Sequence, residues 1–225
     1  MTIRVTNLSY HYRNQRERTL DGLSTEFKPG EVTLIAGASG CGKTTLIRCI
    51  NGLIPRSYTG GELSGAIELF GQDTAALTLA TISQIIGTVL QDPEKQIVAS
   101  DVTSEIAFGL ENLGLPRDEI RERIAHTAEL LHISNLLTRE TFLLSGGEKQ
   151  KVALAGVLAM RPRAVLLDEP LASLIARVPS GTPRGCRTRC AGSPKGGRFP
   201  SSSPQTPKAI SQKVSFAVAP RDGWL

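Results

Sequence analysis

The sequence predicts an α/β fold, a parallel sheet covered on both faces by helices, on three observations. Val32-Thr-Leu-Ile-Ala36 and Ala164-Val-Leu-Leu-Asp168 are short, nearly unbroken apolar runs, the pattern of strands buried on both faces. The first run opens through a glycine-rich loop onto a helical pattern from Lys43 to Asn51. Between the two runs lie further helical patterns, and that order of elements builds a parallel sheet.

Taken along the chain, residues 2–8 and 25–35 read as strands, with Gly22 and Pro29-Gly30 supplying turns. The basic stretch Arg13 to Arg18 between them reads as a solvated hairpin loop. A variable section rich in Gly and Thr runs from Leu53 to Asp73. Thr103 to Gly109 and Glu119 to Leu131 are expected helices, the second with Ile120, Ile124, Ala128 and Leu131 on one face. Gly146 to Met160 is a further helix, ended by Arg161-Pro162.

Composition divides the chain at Leu174. The whole carries +5, but residues 1–174 hold 17 basic and 20 acidic side chains, whereas 175–225 hold 9 basic and 1 acidic. The positive charge therefore belongs to the tail, and no nucleic-acid partner is expected for the folded part. The tail also holds 7 of the 13 prolines, and neither helical nor strand periodicity survives from Pro179 to Pro207. A short alternating set at Val214, Phe216 and Val218 resembles a strand. The domain is expected at 1–174, with a disordered basic tail at 175–225. No run approaches the 18 or so apolar residues of a membrane span. Met1-Thr-Ile-Arg-Val lacks the pattern of a secretion signal, so the cytosol is the expected compartment. Cys41 and Cys49 make no disulfide framework.

Two motifs carry chemistry. Gly37-Ala38-Ser39-Gly40-Cys41-Gly42-Lys43-Thr44 fits G-x-x-x-x-G-K-[ST] and lies between a strand and a helix, as a phosphate-cradling loop requires. Its backbone N–H groups and the helix N-terminus favour phosphate oxygens. Lys43 is placed to reach β- and γ-phosphates, and the Thr44 hydroxyl to ligate Mg²⁺. Cys41 reads as a small loop residue. Val165-Leu-Leu-Asp-Glu169 ends an apolar strand in two carboxylates: Asp168 for the Mg²⁺ shell and Glu169 as the base that polarises the attacking water.

Leu144-Ser-Gly-Gly-Glu-Lys-Gln-Lys151 supplies a second phosphate-binding helix terminus, in which Ser145, Gly146 and Gly147 open the helix. One domain does not easily aim both termini at one nucleotide; two copies packed head to tail can. With this run the chain resembles the ATP-binding subunits of ABC transporters, whose signature is LSGGQ, with Glu148 here in place of the Gln. The resemblance covers residues 1–174. It implies a P-loop ABC-type nucleotide-binding domain with an antiparallel β subdomain and a helical subdomain at about 92–145.

It further implies ATP and Mg²⁺ as cofactors. Gln91 matches the glutamine that touches Mg²⁺ and water and signals to a membrane partner, Tyr12 matches the aromatic that stacks on adenine, and Ser39 and Thr45 complete the phosphate contacts. Asn51-Gly-Leu-Ile-Pro55, Gln91-Asp-Pro-Glu-Lys-Gln96 and Ala107-Phe-Gly-Leu-Glu-Asn-Leu-Gly114 look like the ATPases of energy-coupling factor transporters, which import vitamins or transition-metal ions. The implied partners are a second ATPase subunit and an integral membrane subunit contacted near Gln91. The implied location is the inner face of the cell membrane.

The family pattern breaks after Leu171-Ala-Ser-Leu174. Ile175 stands where the family has the aspartate of its dimer-facing loop, and the last histidine is His132, so no switch histidine follows. A reading frame shifted at or just after Leu174 accounts for both: a Leu codon ending in G before the AU of an Ile codon reads GAU, Asp, one base back. A natural basic tail that binds lipid or nucleic acid is the rival. Two other functions stay open, a hydrolysis-deficient nucleotide-binding remnant and a non-transport ABC ATPase.

Overall fold

The computed structural model describes residues 2–37 and 40–168, together with the backbone of 187–190 and 213–219. An antiparallel sheet is built from β1 (Ile3–Tyr12), β2 (Leu20–Phe27), β4 (Gly61–Leu69) and β5 (Gln72–Asp73), in the order β2-β1-β4-β5. The sequence ends the first strand near residue 8, but the structure carries it to Tyr12. The cause is Asn7, which takes φ 48 where the register against both neighbours slips. The slip moves the buried face from Ile3 and Val5 to Leu8 and Tyr10, so the two-residue alternation changes phase and looks finished. Arg13, Arg16 and Arg18 lie exposed in the hairpin loop, as expected.

The expected strand 25–35 is split by the turn at Lys28, Pro29 and Gly30, where Glu31 N–H donates to Lys28 C=O at 3.2 Å. Its second part is β3 (Glu31–Gly37), which leads to α1 (Lys43–Ile50) and the short α2 (Leu53–Arg56). α3 (Leu79–Ile85) and β6 (Ile86–Val89) follow, and neither is long enough to show a period in the sequence.

The second sheet has the order β6-β7-β9-β3-β8, with β7 at Ala164–Asp168, β8 at Arg187–Cys190 and β9 at Lys213–Ala219. β6 pairs with β7, and β3 with β8, in parallel; β9 runs antiparallel between β7 and β3. The sheet is therefore mixed, not wholly parallel as the sequence predicts. Because β9 opposes both neighbours, β3 and β7 run the same way and their C-terminal ends share one edge. Two backbone segments beyond residue 174 thus run in this sheet, and 213–219 is the alternating set around Val214, Phe216 and Val218.

α4 (Val102–Asn112), α5 (Arg117–Leu130) and α6 (Gly146–Ala159) form the helical part, close to the sequence expectation. Val102, Ile106, Leu110, Ala128, Val152 and Ala155 make its core. Ile124 and Ala128 of α5 are buried there, with Ile120 and Leu131 packed against the same cluster. The other large core joins the antiparallel sheet to α1 through residues such as Leu20, Leu46, Ile50 and Leu69. No described helix is long and apolar enough to cross a membrane.

Candidate functional site

The glycine-rich loop joins β3 to α1, and its last glycine is fixed by sterics. Gly42 has φ 97, and a Cβ there would sit 2.8 Å from the Thr19 carbonyl oxygen and 3.1 Å from the Leu20 side chain. Only glycine meets both demands without strain. α1 starts with no side-chain cap and no acidic residue in its first turn. Its opening N–H groups and partial positive charge are thus open to water or to an anion from outside the helix.

Lys43 is buried, and its ammonium donates to the Gly37 carbonyl at 2.9 Å and approaches Cys41 Sγ at 3.5 Å. The cation is folded back over its own loop. Cys41 is half-buried, while Cys49 on α1 is buried and its thiol is pushed up to about 12 by desolvation.

Thr44 Oγ1 donates to Asp168 Oδ1 at 3.1 Å, across 124 residues of sequence. Asp168 is buried at the end of β7. The hydroxyl and the carboxylate expected to share Mg²⁺ therefore already meet at the common edge of β3 and β7, and these hard oxygen donors fit that ion. Thr45 is buried, and its hydroxyl lies 3.2 Å from the Tyr12 hydroxyl. Tyr12 stands edge-on to Tyr10, with ring centroids 4.7 Å apart. That anchors Tyr12 to α1, one residue after the proposed metal ligand. Ala38, Ser39 and Glu169 lie outside the described residues, as do Leu171 to Ile175.

Gln91 is exposed, just beyond β6. Its loop is closed by a residue to which the motif assigns no role: Gln96 Oε1 accepts from Leu90 N–H at 2.9 Å, and Gln96 Nε2 donates to Thr88 C=O at 3.4 Å. Asp92 caps the 3-10 turn 93–95. From that turn Glu94 pairs with Lys149 of α6 at 2.6 Å, a link between the Gln91 loop and the signature helix. Nothing in a linear pattern marks two oppositely charged residues 55 positions apart as partners. Glu105 is also beyond the motifs; its buried carboxylate accepts from Val98 and Ala99 N–H at 2.9 and 2.8 Å and fixes the stretch leading into α4.

α6 opens differently from α1. Ser145 and Glu148 form a reciprocal capping box, in which the Ser145 hydroxyl and backbone N–H both donate to Glu148 Oε2, at 2.7 and 2.8 Å. These bonds hold the Glu148 carboxyl below the usual carboxylate range, helped by Arg139, whose Nη1 lies 3.7 Å away, and by Lys151. Gly146 and Gly147 are exposed, neither has a positive φ, and a Cβ on either would meet nothing within 4 Å among the described residues. His126 and His132 are exposed on and beside α5.

Residues 20–172 match the family described as ABC transporter. Among curated relatives, a putative ABC transporter ATP-binding protein of Treponema denticola is 42% identical over 172 residues, which cover 76% of this chain and 35% of that protein. The putative HMP/thiamine import ATP-binding protein YkoD of Bacillus subtilis is 44% identical over 171 residues, covering 76% of this chain and 31% of that protein. The chain thus spans about a third of the length of these relatives. Among solved structures, CbiO1 of Clostridium perfringens, described as part of the ABC transporter complex CbiONQ, is similar with a TM-score of 0.66 and 35% identity, over 76% of this chain and 66% of that one.

Proposed function

The chain belongs to the ABC transporter family as an ATP-binding domain, and from that premise we propose that it binds Mg·ATP at 37–45, dimerises across the Ser145 end of α6, and couples ATP hydrolysis to a membrane partner. The backbone at 37–42 and Lys43 take the phosphates. Lys43 leaves the Gly37 carbonyl for a β- or γ-phosphate oxygen, a stronger acceptor. Thr44, Asp168 and Gln91 would hold Mg²⁺, which supplies charge neutralisation on the phosphoryl oxygens. Glu169 orients the attacking water and takes its proton, and Tyr12 stacks on the base.

The observation that carries the dimer is the pair Gly146-Gly147. Glycine in a helical turn costs about 0.5–1 kcal/mol against alanine. Among the described residues, nothing touches the space that a Cβ there would fill. A close approach from outside, by the phosphate on a second copy, accounts for both glycines. The membrane partner docks in an apolar cavity of about 510 Å³ lined by Leu53, Leu79, Ala80, Ile86, Thr88 and Met160, among others. Thr88 accepts from Gln96, the residue that closes the Gln91 loop, which gives the partner a short path to the nucleotide. The chain then works on the inner face of the membrane, energising an importer of the energy-coupling factor type for vitamins or transition-metal ions. Its likeness to YkoD and CbiO1 supports that class.

A second reading, nucleotide binding without turnover, is favoured by one observation: the family match stops at residue 172 and the expected aspartate position holds Ile175. We place the domain boundary at 174 and assign the departure to a shifted reading frame; translation of the nucleotide sequence one base back tests it, and a frame without Asp and a later His overturns it. The functional readings separate by measuring ATP binding and phosphate release on the full chain beside Lys43→Ala. Binding and release that both depend on Lys43 support the ATPase. Binding alone leaves the second reading, and no binding sinks both.

A further inference from the structure

The carboxylate that caps α6 occupies the groups that the proposed dimer needs for a foreign anion. A serine hydroxyl has one proton to give. In this chain it points to Glu148 Oε2 at 2.7 Å, and the Ser145 backbone N–H goes to the same oxygen. The third bond of the box, from Glu148 N–H to Ser145 Oγ, is longer at 3.4 Å and uses a lone pair of that oxygen. As it stands, Ser145 therefore offers an approaching γ-phosphate a lone pair and not a donor, beside a full negative charge. Arg139 and Lys151 are the cations that offset this charge. Arg139 is half exposed at 52% and stands 3.7 Å off, so it moderates the charge without removing it.

Resting on the dimer proposed above, we propose that Glu148 is a positioning residue that restrains ATP-driven closure, holding the Ser145 hydroxyl proton in the separate chain and giving it up only when the second copy's phosphate arrives. The exchange breaks one charge-assisted hydrogen bond and forms another, and no covalent bond changes. Closure consequently has to outbid an intrachain carboxylate. A neutral amide at 148 keeps the geometry of the box, because its oxygen still accepts from Ser145 N–H. As an uncharged acceptor it holds the hydroxyl more weakly and repels the phosphate less.

The test is ATP-dependent dimerisation of the full chain, followed by light scattering against ATP concentration in the presence of Mg²⁺, for wild type, Glu148→Gln, Glu148→Ala and the double variant Ser145→Ala/Glu148→Gln. Glu148→Gln should lower the ATP needed for half-maximal dimer by roughly 3- to 10-fold. Glu148→Ala, which loses the cap, should gain less, and the double variant should lose the gain because the donor is gone. An unchanged or higher requirement in Glu148→Gln overturns the proposal. So does a gain in Glu148→Ala equal to that in Glu148→Gln, which would mean that a loosened helix is the cause, and so does a gain that survives loss of the Ser145 hydroxyl. If ATP binds in a Lys43-dependent manner but no variant forms a dimer, the dimer reading itself falls and this inference falls with it. Dimers that form normally and ignore position 148 remove the inference alone.

Discussion

Two helices in this chain present their N-termini to phosphate in the proposed mechanism, and they are built on opposite plans. α1 begins at a left-handed glycine with no side-chain cap and no acid in its first turn, and a buried lysine follows at once. α6 begins at a serine in a closed capping box with a glutamate. The first terminus has no side-chain cap among the described residues and is open to an anion from outside; the second is capped by its own chain. In the proposed mechanism the difference separates two tasks, holding a nucleotide all the time and meeting one only on closure. An uncapped helix end is a standing site, and a capped end is a conditional one.

The largest expected effect falls on the uncapped end. Lys43→Ala should weaken Mg·ATP binding by about a hundredfold, the usual cost of a lost charged hydrogen bond in a buried place. Gly42→Ala should do similar damage, since its Cβ would press on the Thr19 carbonyl at 2.8 Å in a backbone region that alanine avoids. Ser145→Ala should leave binding to the single chain unchanged and weaken the ATP-dependent dimer. Titration of each variant with a fluorescent ATP analogue, beside light scattering, reads the two effects separately. Equal losses of single-chain binding from Ser145→Ala and Lys43→Ala would erase the contrast between the helices.

The next effect has the opposite sign for stability and function. Gly147→Ala should stabilise the chain by about 0.5–1 kcal/mol, because the position is helical and its surroundings are open. In the proposed dimer the same methyl group would stand where the second copy's phosphate comes close, so dimerisation should fall. Thermal unfolding and scattering on one preparation decide this, and a variant that is more stable and still dimerises would show that the glycine serves no contact.

How much of this was readable in the sequence follows from where each constraint lies. The phosphate loop, the strand ending at Asp168 and the opening of α6 were legible because each is a contiguous run whose chemistry fixes residue type and spacing. The meeting of Thr44 with Asp168 was legible only as an implication, since it needs β3 and β7 to share an edge. The end of β1 was not legible, because Asn7 resets the alternation. β6 was missed for its four residues, although it carries the chain to Gln91. The sheet itself was read as all parallel, and β9 breaks that expectation from a part of the chain with little pattern. The Glu94 to Lys149 pair and the Gln96 clamp had no signal at all, being set by tertiary approach between polar residues of ordinary type.

That pair allows a smaller test of how the start of α6 is tied to the Gln91 loop. Lys149 is mostly buried at 17% exposed and Glu94 is open at 69%, so the bridge should contribute about 0.2–1 kcal/mol. Glu94→Lys should lower kcat for ATP hydrolysis more than it raises KM, as loss of positioning does. The exchange Glu94→Lys/Lys149→Glu should restore part of it. A double-mutant cycle with no coupling would leave α6 and the Gln91 loop as independent parts.

The smallest effect is the pH response of the two helix ends, and its sign follows from the cap. Glu148 has its carboxyl lowered from the ordinary value of 4.5 by the Ser145 hydroxyl first and the Ser145 backbone next. A carboxyl lowered on folding adds stability that is complete above its unfolded value and is lost as pH falls through the folded one. The first turn of α6 should therefore begin to fray only as pH drops below about 4.5, whereas α1 has no acidic residue of its own in its first turn. Amide hydrogen exchange, corrected for the intrinsic pH dependence, should show protection in the first turns of α6 declining on acidification while the start of α1 holds steady, and Glu148→Gln should flatten the α6 response. Parallel loss at both ends would mean that acid loosens the domain as a whole and that the capping box is not what distinguishes them.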